Sequence, residues 1–255
     1  MTVTRRRLVW IEIVLLLGVS LGRSAAYSVL SIIEKYTRPE PISQQVTTMN
    51  TSVTPQRPWL DLAYQVAGII FPLVPALLVL YLLTVFLRPP GGAFRAMGLD
   101  LKRPAFDWGV AFGICAAIGI PGLGLYLVAK QFGFNTTIVP ANLSENWWTV
   151  PVLIALAFMN GALEEIVMIG YLFTRWRQLA HPMWVVVVVS AVVRATYHAY
   201  QGPGQFVGNL VMGLAFGWLY LKLKRVAPLV IAHSLIDVFA FVGYALLAPH
   251  ITWLL

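Results

Sequence analysis

Gly161-Ala162-Leu163-Glu164-Glu165-Ile166-Val167-Met168-Ile169-Gly170 sets two adjacent carboxylates in the middle of an apolar run over residues 147–173. A run of that length is enough to cross a bilayer as a helix. A charged side chain at membrane depth costs roughly 2.5–3.5 kcal/mol on insertion scales. Two side by side also repel each other. Ionisable residues at such depth are functional by default; the alternative is a buried ion pair that holds two helices together. On either reading the two glutamates need partners elsewhere in the chain.

Of the 255 residues, 59% are hydrophobic and only 11% charged. A soluble domain carries about 25% charged residues, so most of this chain belongs inside a bilayer. The apolar runs are long and continuous rather than alternating, which selects helices over a barrel. The expected fold is all-α, a polytopic transmembrane helix bundle of seven to eight spans. The net charge of +8 does not point to nucleic acid, because the basic residues sit in short loops beside apolar runs. The single cysteine, Cys115, cannot form an internal disulfide, and no zinc-type Cys/His spacing is present.

Seven spans are expected, over residues 8–33, 61–87, 108–129, 147–173, 182–200, 206–221 and 228–247. The first follows Arg5-Arg6-Arg7 and reads as a retained helix rather than a signal peptide, because apolar and small residues continue past Arg23. Pro72 and Pro75 should kink the second. A broken helix near Pro249, or within the first segment, would make eight. The loops with Arg88, Arg95, Lys102 and Arg103, with Arg175 and Arg177, and with Lys222, Lys224 and Arg225 then fall on one side. That places the N-terminus inside and the C-terminus outside. Residues 34–57 and 130–146 form the loops of the other side. The Asn-x-Ser/Thr triplets at Asn135 and Asn142 read as coincidence.

In the second half the ionisable residues within spans are Glu164, Glu165, Arg194, His198, His233 and Asp237; Asn209 is polar but neutral. Helix neighbours point about 100° apart, while i and i+4 share a face. Glu164 and Glu165 should therefore not aim at one point. Arg194 and His198 share a face, as do His233 and Asp237. Two histidines with a carboxylate have two chemical uses. Glu164, His198 and His233 would hold a divalent metal such as zinc with an open position. Alternatively, a glutamate acts as general base on water while histidine stabilises the oxyanion. Both are hydrolytic chemistry at membrane depth; a proton relay or transport path uses the same residue types. The hydropathy spans put Glu164 past the midplane, His233 near one end and His198 near the other. For these to meet, the fifth helix must be tilted, shifted or broken near Gly202.

At these residues the chain resembles the CPBP family of CAAX proteases and bacteriocin-processing enzymes, also called Abi proteins. The family motif Glu-Glu-x-x-x-Arg is similar to Glu164-Glu165. Phe-x-x-x-His is similar to Arg194-Ala195-Thr196-Tyr197-His198, and His-x-x-x-Asn/Asp to His233-Ser234-Leu235-Ile236-Asp237. The resemblance covers about residues 147–247. It implies an intramembrane endopeptidase with Glu164 as the water-activating base, and with His198 and His233 positioning water or stabilising the oxyanion. Glu165 and Asp237 would support them. Metal-dependent and metal-free forms of this chemistry both remain open. Two positions depart from the motifs: Ile169 stands for Arg and Arg194 for Phe. Arg194 is expected to replace the missing cation, since a buried carboxylate pair and a buried Arg each need a partner.

The resulting organisation is one integral membrane domain, with N-terminal helices and loops over 1–146 and a CPBP-like catalytic bundle over 147–255. The first half shows no chemistry and is expected to shape the cavity and a lateral entrance. The expected partners are the lipid bilayer and a membrane-associated protein or peptide substrate; the expected location is multi-pass in a bacterial plasma membrane. Two other functions stay open: a non-catalytic member serving interaction or self-immunity, and a small transporter. Matching halves, common in transporters, are not visible in this sequence.

Overall fold

Apolar runs bounded by proline, glycine and basic residues become long helices. In the computed structural model the described residues, 3–248, are helical with almost no sheet, as the all-α expectation requires. The helices are α1 (Val3–Val19), α2 (Leu21–Thr37), α3 (Pro58–Leu87), α4 (Gly92–Ala96) and α5 (Pro104–Gln131). They continue with α6 (Thr149–Gln178), α7 (Met183–Tyr197), α8 (Pro203–Leu223) and α9 (Ala227–Leu247). Pro58, Pro104, Pro203 and Pro228 sit in first turns, where proline removes no intrahelical bond.

By length and composition five of these helices can cross a membrane, or six if the bent pair α1–α2, broken by 52°, counts as one span. This falls short of the expected seven to eight. The difference lies in α7, whose 15 residues rise only about 22 Å against a hydrocarbon core of about 30 Å. The eighth span considered near Pro249 lies outside the described residues.

α6 is the axis of the bundle. Of its most apolar window 72% is buried within the protein, against 17–28% for the other four long helices. It packs on α9 and α3; α7 packs on α8 and α2, and α9 also meets α5. α6 and α9 approach closely because Gly161 has no side chain. A Cβ there would lie 2.5 Å from Ser234 Oγ and 2.9 Å from the Val230 carbonyl oxygen. Val167, Met168, Ile169 and Phe173 of α6 join Phe216 of α8 and Leu229 of α9 in the main apolar cluster.

The loops gather at two ends. At one, the Val226 N–H donates to the Met97 carbonyl at 2.8 Å, and Arg225 bridges Asp107 at 2.7 Å and Asp100 at 3.0 Å. Burial works against the charge of Asp100, yet the Arg225 guanidinium holds its carboxyl below the usual carboxylate range. Arg6 reaches the Leu179 carbonyl at the same end. Arg175 and Tyr171 both bond Glu12 of α1, at 2.6 and 2.8 Å, tying α1 to the axial helix. At the other end β1 (Val46–Thr48) pairs in parallel with β2 (Thr137–Val139), Val46 opposite Thr137. There Asn135, fully buried, accepts the Gly204 N–H at 2.9 Å.

Candidate active site

Three breaks in regular helix build the site. α6 changes from α to π turns at Glu165 and keeps them to Tyr171. A π turn holds more residues than an α turn, so successive side chains diverge by less than 100°. α7 ends at Tyr197, and His198 begins a short break: a 3-10 turn over Ala199–Gln201, then Gly202 at φ 116°. The fifth helix is therefore broken near Gly202, one of the possibilities left open by the sequence. His198, at the end of α7, lies beside Glu164. On α9, His233 and Asp237 lie one turn apart, facing α6.

The structure brings all six sequence-selected residues together. Contrary to the face argument, both glutamates converge on the same cationic groups. Glu165 is fully buried; its Oε1 accepts Arg194 Nη2 at 2.5 Å and meets His233 Nδ1 at 2.8 Å. Arg194 Nη1 lies 3.3 Å from Glu164 Oε2, an ion pair without hydrogen-bond geometry. The guanidinium also lies over the Phe216 ring, 5.3 Å from its centroid. So Arg194 answers both carboxylates, while Ile169, at the position of the motif Arg, is buried among apolar side chains. Glutamate side chains are long enough to bend back to a common partner, which face counting on backbone positions does not include.

Glu164 has two unlike oxygens. Oε2 accepts the Tyr197 hydroxyl at 2.6 Å. Oε1 lies 3.8 Å from His198 Nε2, too far for a direct hydrogen bond. Both His198 ring nitrogens are buried and without a hydrogen-bond partner among the described residues, as is Glu165 Oε2. Buried polar atoms of this kind call for a ligand, water or substrate. On the far side of His233, Nε2 is 3.9 Å from Asp237 Oδ1, and Asp237 Oδ2 accepts the Asn160 amide at 2.9 Å. Asn209 stays apart, its amide donating to the Gln205 carbonyl.

Residues 146–239 match the type II CAAX prenyl endopeptidase Rce1-like family. This segment is similar to the CPBP-type, Rce1-like protease domain. No curated protein and no solved structure matches the chain. The Rce1-like segment starts just before α6 and ends two residues past Asp237, so it contains every side chain of the cluster. The family matched is one of CAAX-type proteases, which supports a protease, and the long apolar helices fit a multi-pass membrane protein.

Within the Rce1-like domain the metal set differs from the expected Glu164, His198 and His233. Among the described residues, the groups whose ligand atoms lie within 4.8 Å of one another are Glu164, Glu165 and His233. His198 is replaced by Glu165 because the π turn swings the second carboxylate inward. This set could hold a divalent cation, for which Arg194 competes. Its guanidinium occupies the ground between the carboxylates, and Glu165 Oε1 is already shared by Arg194 and His233.

Tyr197 and Asn160 were not selected from the sequence. Asn160 carried a signal, being four residues before Glu164 and thus on its face. Tyr197 carried a weaker one, as the neighbour of His198 in a motif read only at its ends.

Proposed function

We propose that the chain is an intramembrane endopeptidase in which Glu164 activates water for attack on a peptide carbonyl, without a metal, with residues 147–255 as the catalytic bundle. One observation carries this reading: the buried Glu164 has Oε2 tied to Tyr197 and Oε1 turned towards a histidine whose ring nitrogens have no hydrogen-bond partner among the described residues. A water held between Glu164 Oε1 and His198 gives its proton to the carboxylate as its oxygen attacks the carbonyl carbon. The carbonyl oxygen becomes an oxyanion, which the His198 ring N–H stabilises. As the C–N bond breaks, Glu164 returns the proton to the leaving amine. Arg194 and Glu165 act behind this exchange. They keep the charge of the paired carboxylates balanced and hold His233 against α6 through Nδ1, with Asp237 and Asn160 at its back. The substrate is a membrane-associated protein or peptide, and the membrane is the bacterial plasma membrane.

Mass spectrometry of protein termini in cells carrying wild type or Glu164→Gln, at equal expression, tests the reading. Specific cleaved termini should vanish in the variant, which keeps the shape of the side chain and removes the base. Identical termini in both strains, with a deletion phenotype still rescued by the variant, would instead favour the non-catalytic role.

A further inference from the structure

Arg23 is a charged residue of the bundle that the mechanism does not use. Arg23 is exposed on α2, inside the first apolar segment, and its contact among the described residues is the Tyr27 ring, 5.5 Å from the guanidinium carbon. A cation at membrane depth without an anion is costly, and such residues mark functional pathways. Arg23 lines a groove of about 510 Å³ that runs between the α1–α2 bend and the part of α3 that carries Pro72 and Pro75. Its floor reaches Leu163, the neighbour of Glu164. A second hollow of about 280 Å³ shares Ser24 and Tyr27 with the first and ends on Tyr197, the residue that bonds Glu164. The two hollows thus follow α2, one reaching Leu163 and the other Tyr197.

The walls are mainly apolar but carry hydroxyl groups from Ser20, Ser24, Tyr27, Ser28 and Ser31. Pro72 and Pro75 lack N–H groups, so the Gly68 and Phe71 carbonyls lose their usual donors. Ser24 and Ser31 make no side-chain hydrogen bond among the described residues, and Ser28 uses its oxygen to accept the Tyr200 N–H. Hydroxyls spaced along one helix face, with free carbonyls opposite, suit an extended backbone, whose N–H and C=O groups need partners inside a membrane.

Resting on the proteolytic reading, we infer that this groove seats the substrate peptide in extended form and that Arg23 pairs with a carboxylate of that peptide. The occupant is peptide rather than lipid because the second hollow ends on Tyr197, whose hydroxyl bonds Glu164, beside which the scissile bond must lie. The carboxylate follows from charge complementarity with a cation that has no anion among the described residues.

The test uses purified protein bearing Glu164→Gln in phosphatidylcholine nanodiscs, so that the readout does not depend on turnover and stands even if the protein is not a protease. The probes are pooled eight-residue apolar peptides with a photo-reactive group, carrying one Glu or one Gln, each with a free or amidated C-terminus. Pools with a carboxylate should crosslink to α2 about fivefold more than the neutral pool, the scale of an open ion pair. Which pools respond identifies the side chain or the terminus as the carboxylate. Adding Arg23→Gln should remove the excess, and Arg23→Lys should keep it. If Arg23→Gln does not fold, the excess should disappear on raising salt from about 0.05 to 0.5 M. Equal crosslinking of all pools, or an excess indifferent to Arg23→Gln or to salt, overturns the inference. Equal loss in every pool when phosphatidylglycerol replaces phosphatidylcholine assigns Arg23 to lipid phosphate and overturns it as well.

Discussion

Arg194, only 1% exposed, is held in the bundle by two carboxylates that are themselves held by it. Removing one partner of such a group leaves uncompensated buried charge, at a cost of roughly 3–5 kcal/mol. Arg194→Phe, which restores the motif residue, should therefore lower the melting temperature in detergent sharply. Adding Ile169→Arg should recover part of the loss, since it supplies a cation one turn beyond Glu165 on the same helix. A double variant no more stable than Arg194→Phe alone would show that the two positions are not exchangeable. Tyr197 acts on the other carboxylate. Its hydroxyl fixes Glu164 Oε2 at 2.6 Å and so leaves Oε1 to face His198. A hydrogen bond to a charged group is worth about 1.5–3 kcal/mol, so Tyr197→Phe should lower kcat at least about tenfold with little change in KM. An equal effect on both parameters would place Tyr197 in binding rather than in orientation.

The elements that position these side chains are mostly irregular pieces of helix. α7 stops at Tyr197 with His198 at its end beside Glu164, and the turn that follows leads the chain into α8. The sequence hides that stop, because Ala199 and Tyr200 extend the apolar run and only Gly202 and Pro203 mark a break. The π turns of α6 are hidden too, since no residue type in Glu165–Tyr171 demands them. The close crossing of α6 and α9 is more legible, because it depends on Gly161. Gly161→Val should cost about 1–3 kcal/mol through overpacking against Ser234 and Val230, read as a lower midpoint of thermal unfolding. An unchanged midpoint would mean that the two helices can part without loss, and with them Glu164 and His233.

Across the whole bundle, the apolar runs and the basic loops between them were readable because the bilayer leaves few alternatives to buried helix. The pairing of β1 with β2 was not, as two runs of three residues carry too little pattern. The ionisable cluster was legible as a set, since Glu164, Glu165, Arg194, His198, His233 and Asp237 are costly one by one and affordable together. Its wiring was not, because contacts such as Glu165 with Arg194 depend on side-chain reach rather than spacing. The alternation of the helices predicts that residues 88–107 and 222–226 lie on one side of the membrane and residues 38–57 and 132–148 on the other. In a Cys115→Ser background, single cysteines at Arg95 and Thr51 should label from opposite sides with a membrane-impermeant thiol reagent; labelling from the same side would refute the topology. The decisive chemistry is the identity of the base. With a substrate drawn from the comparison of termini, the cleavage rate of purified wild type and Glu164→Gln should be measured with and without a divalent-metal chelator. The glutamate mechanism predicts a loss of about 10³-fold on substitution and no effect of the chelator. A variant within about tenfold of wild type, or a wild-type activity that the chelator abolishes and zinc restores, would contradict it.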